Sequence, residues 1–145
     1  MCSASRRRLV LLLLGGVAWF GIMLACASPQ QDEADVSSQP PNVTTSAELL
    51  SQDYEANEVA ADALYKGRIL QVTGTVDSIG KDITDSMYVT LRGGNEHQIM
   101  GRIQCFFATS HQGELARLQK GMVVTVKCKC DGKFGNVLLK GCLLE

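Results

Sequence analysis

Cysteine is the residue type that offers the most distinctive chemistry in this sequence. Four of the six cysteines lie in the second half of the chain: Cys105, Cys128, Cys130 and Cys142. Four thiolates can hold zinc, but one residue separates Cys128 from Cys130, whereas zinc knuckles use Cys-x-x-Cys. Redox catalysis also favours Cys-x-x-Cys, placed at the start of a helix. We therefore predict no metal and no other cofactor, and a thiol redox protein that uses Cys128 and Cys130 is an alternative function.

The two histidines do not point to an enzyme. Neither His97 nor His111 belongs to a recognisable nucleophile motif. We interpret both as surface residues and predict that the protein does not catalyse a reaction.

A second group of side chains could bind a ligand if two neighbouring strands present them together. Residues 87–91 and 98–107 alternate apolar residues with aromatic or polar ones, and alternate residues of a strand point to opposite faces. The apolar face packs inside the protein, so the other face is open to solvent. The predicted binding residues are the outward-facing Tyr88, Arg102, Gln104 and Phe106, with Phe134 in a nearby loop.

The elements that must position these residues follow the plan of a small barrel. We predict strands at residues 69–79, 87–91, 98–107, 122–130 and 136–144, with a helix at 110–118 between the third and fourth strands. Gly74 lies in the middle of the first strand, where it allows a bulge and a sharp bend. Three strands, a helix and two strands form the five-stranded Greek-key barrel of the OB-fold. The predicted fold class is mainly β with helices.

An amphipathic helix precedes the barrel. A capping box starts at Thr45 and ends at Glu48, so we expect a helix over residues 47–65. Its apolar stripe should pack on the barrel. Asn57 lies in the middle of this stripe, and we expect its side chain to bind a barrel loop because an unpaired buried amide is costly.

The first third of the chain is unlike the rest. Residues 1–27 form an export signal or membrane anchor, in which arginines precede an apolar segment that ends in small residues. Met23-Leu24-Ala25-Cys26 is similar to a lipobox, so we predict lipidation of Cys26; cleavage after Ala27 or an uncleaved anchor are the alternatives. Residues 28–45 lack an apolar period, which predicts a disordered linker. The OB-fold domain is then residues 46–145.

Several short motifs of this domain together resemble one protein family. The motifs are Tyr54-x-x-Asn57-x-x-x-Ala61, Val72-Thr73-Gly74-x-Val76, Ile103-x-Cys105-x-Phe107, Lys120-Gly121-x-x-Val124 and Asn136-Val137-x-Leu139-x-x-Cys142. This set resembles the tRNA_anti-like family of OB-fold proteins. The resemblance implies an exported or membrane-attached bacterial domain, and it carries a fold rather than an established activity.

The cysteines of an exported domain meet oxidising conditions, which favour disulfides. Four cysteines allow three connectivities. The resemblance places cysteines near positions 130 and 142, on two strands joined by a short loop, so we predict the pairs Cys130–Cys142 and, from the remainder, Cys105–Cys128.

The predicted function is a non-enzymatic binding or interaction module. The net charge of −1 and the aromatic content of 6% make nucleic acid an unlikely partner, although a single-stranded nucleic-acid-binding domain is an alternative. We expect the partner to be an envelope protein or a small anionic ligand. The expected location is the periplasmic face of the cell envelope, through a lipid anchor; an inner-membrane anchor or a soluble periplasmic form are the other possibilities.

Overall fold

The computed structural model describes residues 36–94 and 101–145. The predicted leader, the lipidation site Cys26, most of the linker, His97 and the start of the third barrel strand lie outside these residues. Within the described ranges, no helix is both long and apolar enough to cross a membrane.

The chain forms strands and helices in the order that the sequence predicts, with one added strand. The strands are β1 (Val43–Ser46), β2 (Ile69–Lys81), β3 (Met87–Leu91), β4 (Ile103–Phe107), β5 (Val123–Phe134) and β6 (Asn136–Leu144). The helices are α1 (Ala47–Ala56), α2 (Glu58–Tyr65) and α3 (Gln112–Leu115), the last preceded by a 3-10 turn at Thr109–His111.

The strands β2 to β6 close into a barrel. Their order is β2, β3, β4, β6 and β5, and β5 pairs again with β2. The first part of β2 pairs with β5 and its second part with β3, so this long strand belongs to both ends of the sheet. The pairing of β4 with β6 is parallel and the other barrel pairings are antiparallel. The predicted OB-type barrel is confirmed.

Strand β1 corrects the predicted linker. Residues 43–46 pair in parallel with β2, opposite residues 70–73. Val36 is fully buried, and residues 36–38 are helical. The linker therefore does not extend to residue 45. The sequence of β1 has no apolar pattern that would predict a strand. Backbone hydrogen bonds hold this segment in place, together with the Asn42 side chain, which accepts from the Ile69 N–H at 2.9 Å.

The predicted helix over residues 47–65 is two helices joined at Asn57. This residue has an extended backbone, and its side-chain oxygen accepts from the Ala60 N–H at 3.1 Å, which caps α2. The prediction that Asn57 binds a barrel loop is therefore wrong, because its side chain is exposed and caps the helix. The first cap also differs from the prediction, since Ser46 rather than Thr45 accepts from the Leu49 N–H, at 3.1 Å.

Two tyrosines join these helices to each other. The Tyr54 hydroxyl donates to Asp62 at 3.0 Å, and the Tyr65 hydroxyl donates to Asp53 at 2.6 Å. Burial, together with the bond to Asp53, raises the pKa of Tyr65 to about 12. Burial and contacts with Cys130 and Asp62 raise the pKa of Tyr54 further. Both phenols therefore remain neutral donors at physiological pH.

The bend of β2 does not lie where the sequence places it. The register with β3 shifts between Val76 and Ser78, so Asp77 is the extra residue. Gly74 keeps regular pairing with Val124. A Cβ atom at position 74 would lie 2.7 Å from the Cβ of Ala47. The glycine is needed because α1 packs closely on β2.

The disulfide connectivity also differs from the prediction. Cys128 is bonded to Cys142, and their Cα atoms are 4.3 Å apart. Cys105 and Cys130 are buried thiols, so neither Cys130–Cys142 nor Cys105–Cys128 forms. The reason is register: β5 continues to Phe134, where it pairs with Asn136, and this pairing brings Cys130 opposite Leu139. Cys128 is therefore paired with Cys142 and not with Cys130, the partner that the thiol redox alternative requires.

Candidate ligand-binding face

The outer surface of β3 and β4 carries paired side chains in three successive rungs. Tyr88 is the cross-strand partner of Phe106, and Thr90 is the partner of Gln104. The same register continued by two residues places Arg92 across from Arg102. The rungs therefore run from aromatic through polar to cationic, and we call this surface the outer face.

The aromatic rung offers two partly exposed rings. The ring centroids of Tyr88 and Phe106 are 6.2 Å apart, with an angle of 62° between the ring planes. Gly80 in β2 lies under Tyr88, because a Cβ atom at position 80 would meet the tyrosine hydroxyl at 3.0 Å. The glycine thus leaves room for the ring on the surface. An edge-to-face pair of this kind can stack a planar ligand group.

The polar rung is extended by β6. Thr90 is buried, whereas Gln104 is partly exposed and its side-chain carbonyl accepts from the Asn136 amide at 3.3 Å. Asn136 is in turn the cross-strand partner of Phe134 at the tip of the β5–β6 hairpin. Phe134 is 87% exposed. The hairpin tip therefore borders the outer face.

The cationic rung surrounds the bulge residue of β2. Asp77 is only 12% exposed, and Nη1 of Arg102 lies 3.0 Å from its Oδ2. Its Oδ1 faces Nε of Arg92 at 3.8 Å and Nζ of Lys120 at 3.5 Å. Three cations from three segments of the chain thus converge on one carboxylate.

The structure brings together most of the residues that the sequence predicts for binding. Tyr88, Arg102, Gln104 and Phe106 share the outer face, and Phe134 lies at its border. Whether they contact a ligand remains a prediction. The residues that sequence reasoning missed are Asp77, Thr90, Arg92, Lys120 and Asn136. Alternation already places Thr90 on the same face as Tyr88, and Arg92 continues the pattern. Asp77 could not be found in this way, because the bulge changes which face it occupies.

The cysteines form a separate buried group inside the barrel. The sulfur atoms of Cys105, Cys128 and Cys142 lie within 4.8 Å of one another. Two of the three are joined in the disulfide, and burial raises the pKa of the Cys105 thiol well above its ordinary range. A buried neutral thiol beside a disulfide is a poor metal ligand, so the group is best described as part of the core.

Comparison with known proteins agrees with this architecture. The model of the tRNA_anti-like family matches residues 1–143. No curated protein sequence matches the chain. Among solved structures, the chain is similar to a proposed nucleic acid-binding lipoprotein from Klebsiella pneumoniae subsp. pneumoniae, with a TM-score of 0.58 and 22% identity. The likeness covers 77% of this chain and 96% of that one, and at this identity it concerns the fold.

Proposed function

The chain belongs to the tRNA_anti-like family, and from this premise we propose that it is a non-enzymatic binding module of the OB type whose ligand lies on the outer face. The observation that carries the proposal is the order of the rungs on β3 and β4. In OB-folds the corresponding strands commonly hold the ligand. A face that joins stacking rings, amide groups and cations suits a ligand with both planar and polar parts.

The strength of such a site can be bounded. Stacking on an aromatic side chain contributes about 1–3 kcal/mol per planar group. Hydrogen bonds to Gln104 and Asn136 would each add about 1 kcal/mol. The two partly exposed rings and these amides therefore supply about 4–8 kcal/mol in all, which corresponds to dissociation constants from about millimolar to about micromolar. They select a ligand by its shape and its hydrogen-bonding pattern.

We place this module at the cell envelope. The support is the leader of residues 1–27 with its lipobox-like end, together with a similar structure that is described as a lipoprotein. Lipidation of Cys26 would hold the domain at the periplasmic face of a membrane. A Cys26→Ser variant should then be released or keep its leader, and unchanged membrane retention at unchanged size would contradict lipidation.

A single-stranded nucleic acid is the second candidate ligand. The sequence makes it an unexpected partner, but two observations favour it. A cationic rung follows the aromatic and polar rungs of β3 and β4, and the similar lipoprotein is described as a proposed nucleic acid-binding protein. Non-sequence-specific single-strand binding combines these two elements. Under this reading bases stack at Tyr88 and Phe106 while the backbone contacts Arg102.

The test uses the full-length chain and a Tyr88→Ser/Phe106→Ser variant. Both are exposed to envelope extract, and captured proteins and small molecules are identified by mass spectrometry. The matched control is Val59→Ser/Leu64→Ser, because these side chains are 82% and 53% exposed on α2, outside β3 and β4. We expect the control to keep the wild-type ligand set and the face variant to lose it. Identical capture by all three proteins would contradict the proposal.

The second candidate is tested with a fluorescent oligothymidylate at low salt. Fluorescence anisotropy should rise with wild-type and control proteins but not with the face variant. If the wild-type protein leaves the anisotropy unchanged, nucleic acid is excluded while the envelope ligand remains.

A further inference from the structure

The cationic rung is more than an ordinary surface ion pair. We propose that Arg102 and Lys120, positioned by Asp77, form a subsite for a phosphoryl group of the ligand. This inference rests on the proposed function, since the subsite continues the outer face. Among the residues that the structure describes, Arg102 and Lys120 bring two positive charges to the single carboxylate of Asp77.

The backbone fixes the position of the lysine. Lys120 lies in the turn before β5, and Gly121 in that turn has a φ of 92°, which favours glycine. The Gly121 N–H donates to the Val76 carbonyl at 2.8 Å, and the Val76 N–H donates to the Met122 carbonyl at 2.8 Å. Two backbone hydrogen bonds thus hold the turn against β2, directly beside Asp77. These two hydrogen bonds place the backbone of Lys120 next to Asp77.

The carboxylate and the two cations of the subsite differ in their exposure to solvent. The Asp77 side chain is 12% exposed, whereas those of Arg102 and Lys120 are 39% and 68% exposed. The carboxylate therefore lies at the base and the cations at the rim. Arg102 has five N–H donors and uses Nη1 toward Asp77, so further donors remain for an oxyanion. A dianionic phosphoryl group would balance the charge of both cations, whereas the single carboxylate of Asp77 balances only one.

The position of the subsite also sets the length of the ligand. Phe106 lies in β4, and Arg102, four residues earlier, immediately precedes this strand. At about 3.3 Å per residue, this corresponds to about 13 Å along the strand. A ligand that engages both ends must therefore span a distance of roughly this size between its planar group and its phosphoryl group, so we expect an elongated ligand.

Inorganic pyrophosphate is a probe that reports on this subsite alone. Full-length protein is titrated with pyrophosphate at low salt in a calorimeter. Arg102→Gln and Lys120→Gln should each weaken binding about tenfold, as expected for the loss of one charge close to the anion. The matched controls Arg68→Gln and Lys127→Gln remove the same charges elsewhere and should bind as the wild type does. Raising the salt concentration should weaken wild-type binding.

The Asp77→Asn variant separates the subsite from general charge attraction when it is compared with Asp131→Asn, which removes a lysine-paired carboxylate elsewhere and should bind pyrophosphate as the wild type does. Removing the competing carboxylate should tighten pyrophosphate binding about tenfold, even though the ion pairs that it makes in the apo protein are lost. The Tyr88→Ser/Phe106→Ser variant should bind pyrophosphate normally. Failure of the proposed function would therefore appear in the ligand capture experiment, independently of this titration.

Two outcomes would overturn the subsite. One is the absence of pyrophosphate binding by the wild-type protein. The other is an equal loss in Arg68→Gln or Lys127→Gln, which would show attraction to the whole surface. If the subsite is present, titration with oligothymidylate distinguishes sources of the phosphoryl group. If the natural ligand is a nucleic acid, Arg102→Gln should weaken oligothymidylate binding. If the natural ligand is a small phosphate ester, oligothymidylate should not compete with pyrophosphate.

Discussion

The Cys130 sulfur lies 3.4 Å from the Tyr54 hydroxyl, within hydrogen-bonding distance. This contact joins α1 to β5, so Cys130 has a packing role instead of forming a disulfide. Burial raises the pKa of the Cys130 thiol, so the group stays neutral. The cysteine pattern therefore combines one covalent crosslink with two packed thiols.

We expect peptide mapping of the native protein to yield a linked Cys128–Cys142 peptide. Cys105 and Cys130 should resist alkylation until the protein unfolds, because both are buried. The closed loop spans 14 positions, so a Cys128→Ala/Cys142→Ala variant should lose about 3 kcal/mol of unfolding free energy, measured by urea denaturation under non-reducing conditions. A linked Cys130–Cys142 peptide would contradict this assignment.

Gly74→Ala should destabilise the protein by about 1–3 kcal/mol, because the added methyl would overlap the Ala47 side chain. Ala47→Gly removes the overlapping atom and should recover part of the loss when the two changes are combined. The measurement is a double-mutant cycle from urea denaturation. Strictly additive effects would show that α1 does not pack on β2 at this point.

Asn57→Ala should cost about 1 kcal/mol, since the first amides of α2 lose their acceptor. Asn57→Asp and Asn57→Ser keep an oxygen at the cap and should stay close to wild type in melting temperature. Val59→Ala is the control, because Val59 is 82% exposed on the same helix. If Asn57 instead bound a barrel loop, the serine variant would be as unstable as the alanine variant.

Tyr65 should make stability depend on alkaline pH. Its pKa is about 12 in the folded protein, against an ordinary value of 10.0. A raised folded-state pKa contributes stability that is fully present below pH 10.0 and is lost as the pH rises toward about 12. Wild type should therefore be more stable than Tyr65→Phe at pH 9, by about 1.5 kcal/mol for a hydrogen bond to a carboxylate, and this advantage should shrink above pH 10. An advantage that does not change with pH would rule out this titration.

The barrel and its two faces follow from the sequence because alternation is a local property. Met87, Val89 and Leu91 are buried as their spacing predicts, and Tyr88 and Phe106 are on the opposite side. The alternation holds wherever a strand is regular. This is why four of the five predicted binding residues share one face.

Features that depend on pairing between strands were predicted less well. The cysteine partners depend on the register of the β5–β6 hairpin, and ending the fourth predicted strand at residue 130 left that register undetermined. Counting outward from the turn at Gly135, where Phe134 pairs with Asn136, would have brought Cys128 opposite Cys142. The bulge at Asp77 was not accessible in this way, because nothing in its local sequence distinguishes it from a regular strand residue.

Burial of Val36 limits the reach of the barrel from its proposed anchor. Ten positions separate Val36 from Cys26, and ten residues span at most about 36 Å even when fully extended. A barrel attached through Cys26 would therefore search a thin layer above the lipid headgroups. Short tethers of this kind give effective concentrations on the order of millimolar. An outer face with a micromolar dissociation constant would then stay occupied by a ligand displayed on the same membrane. Cutting the tether would lower the occupancy of the outer face, although every contact with the ligand would be unchanged.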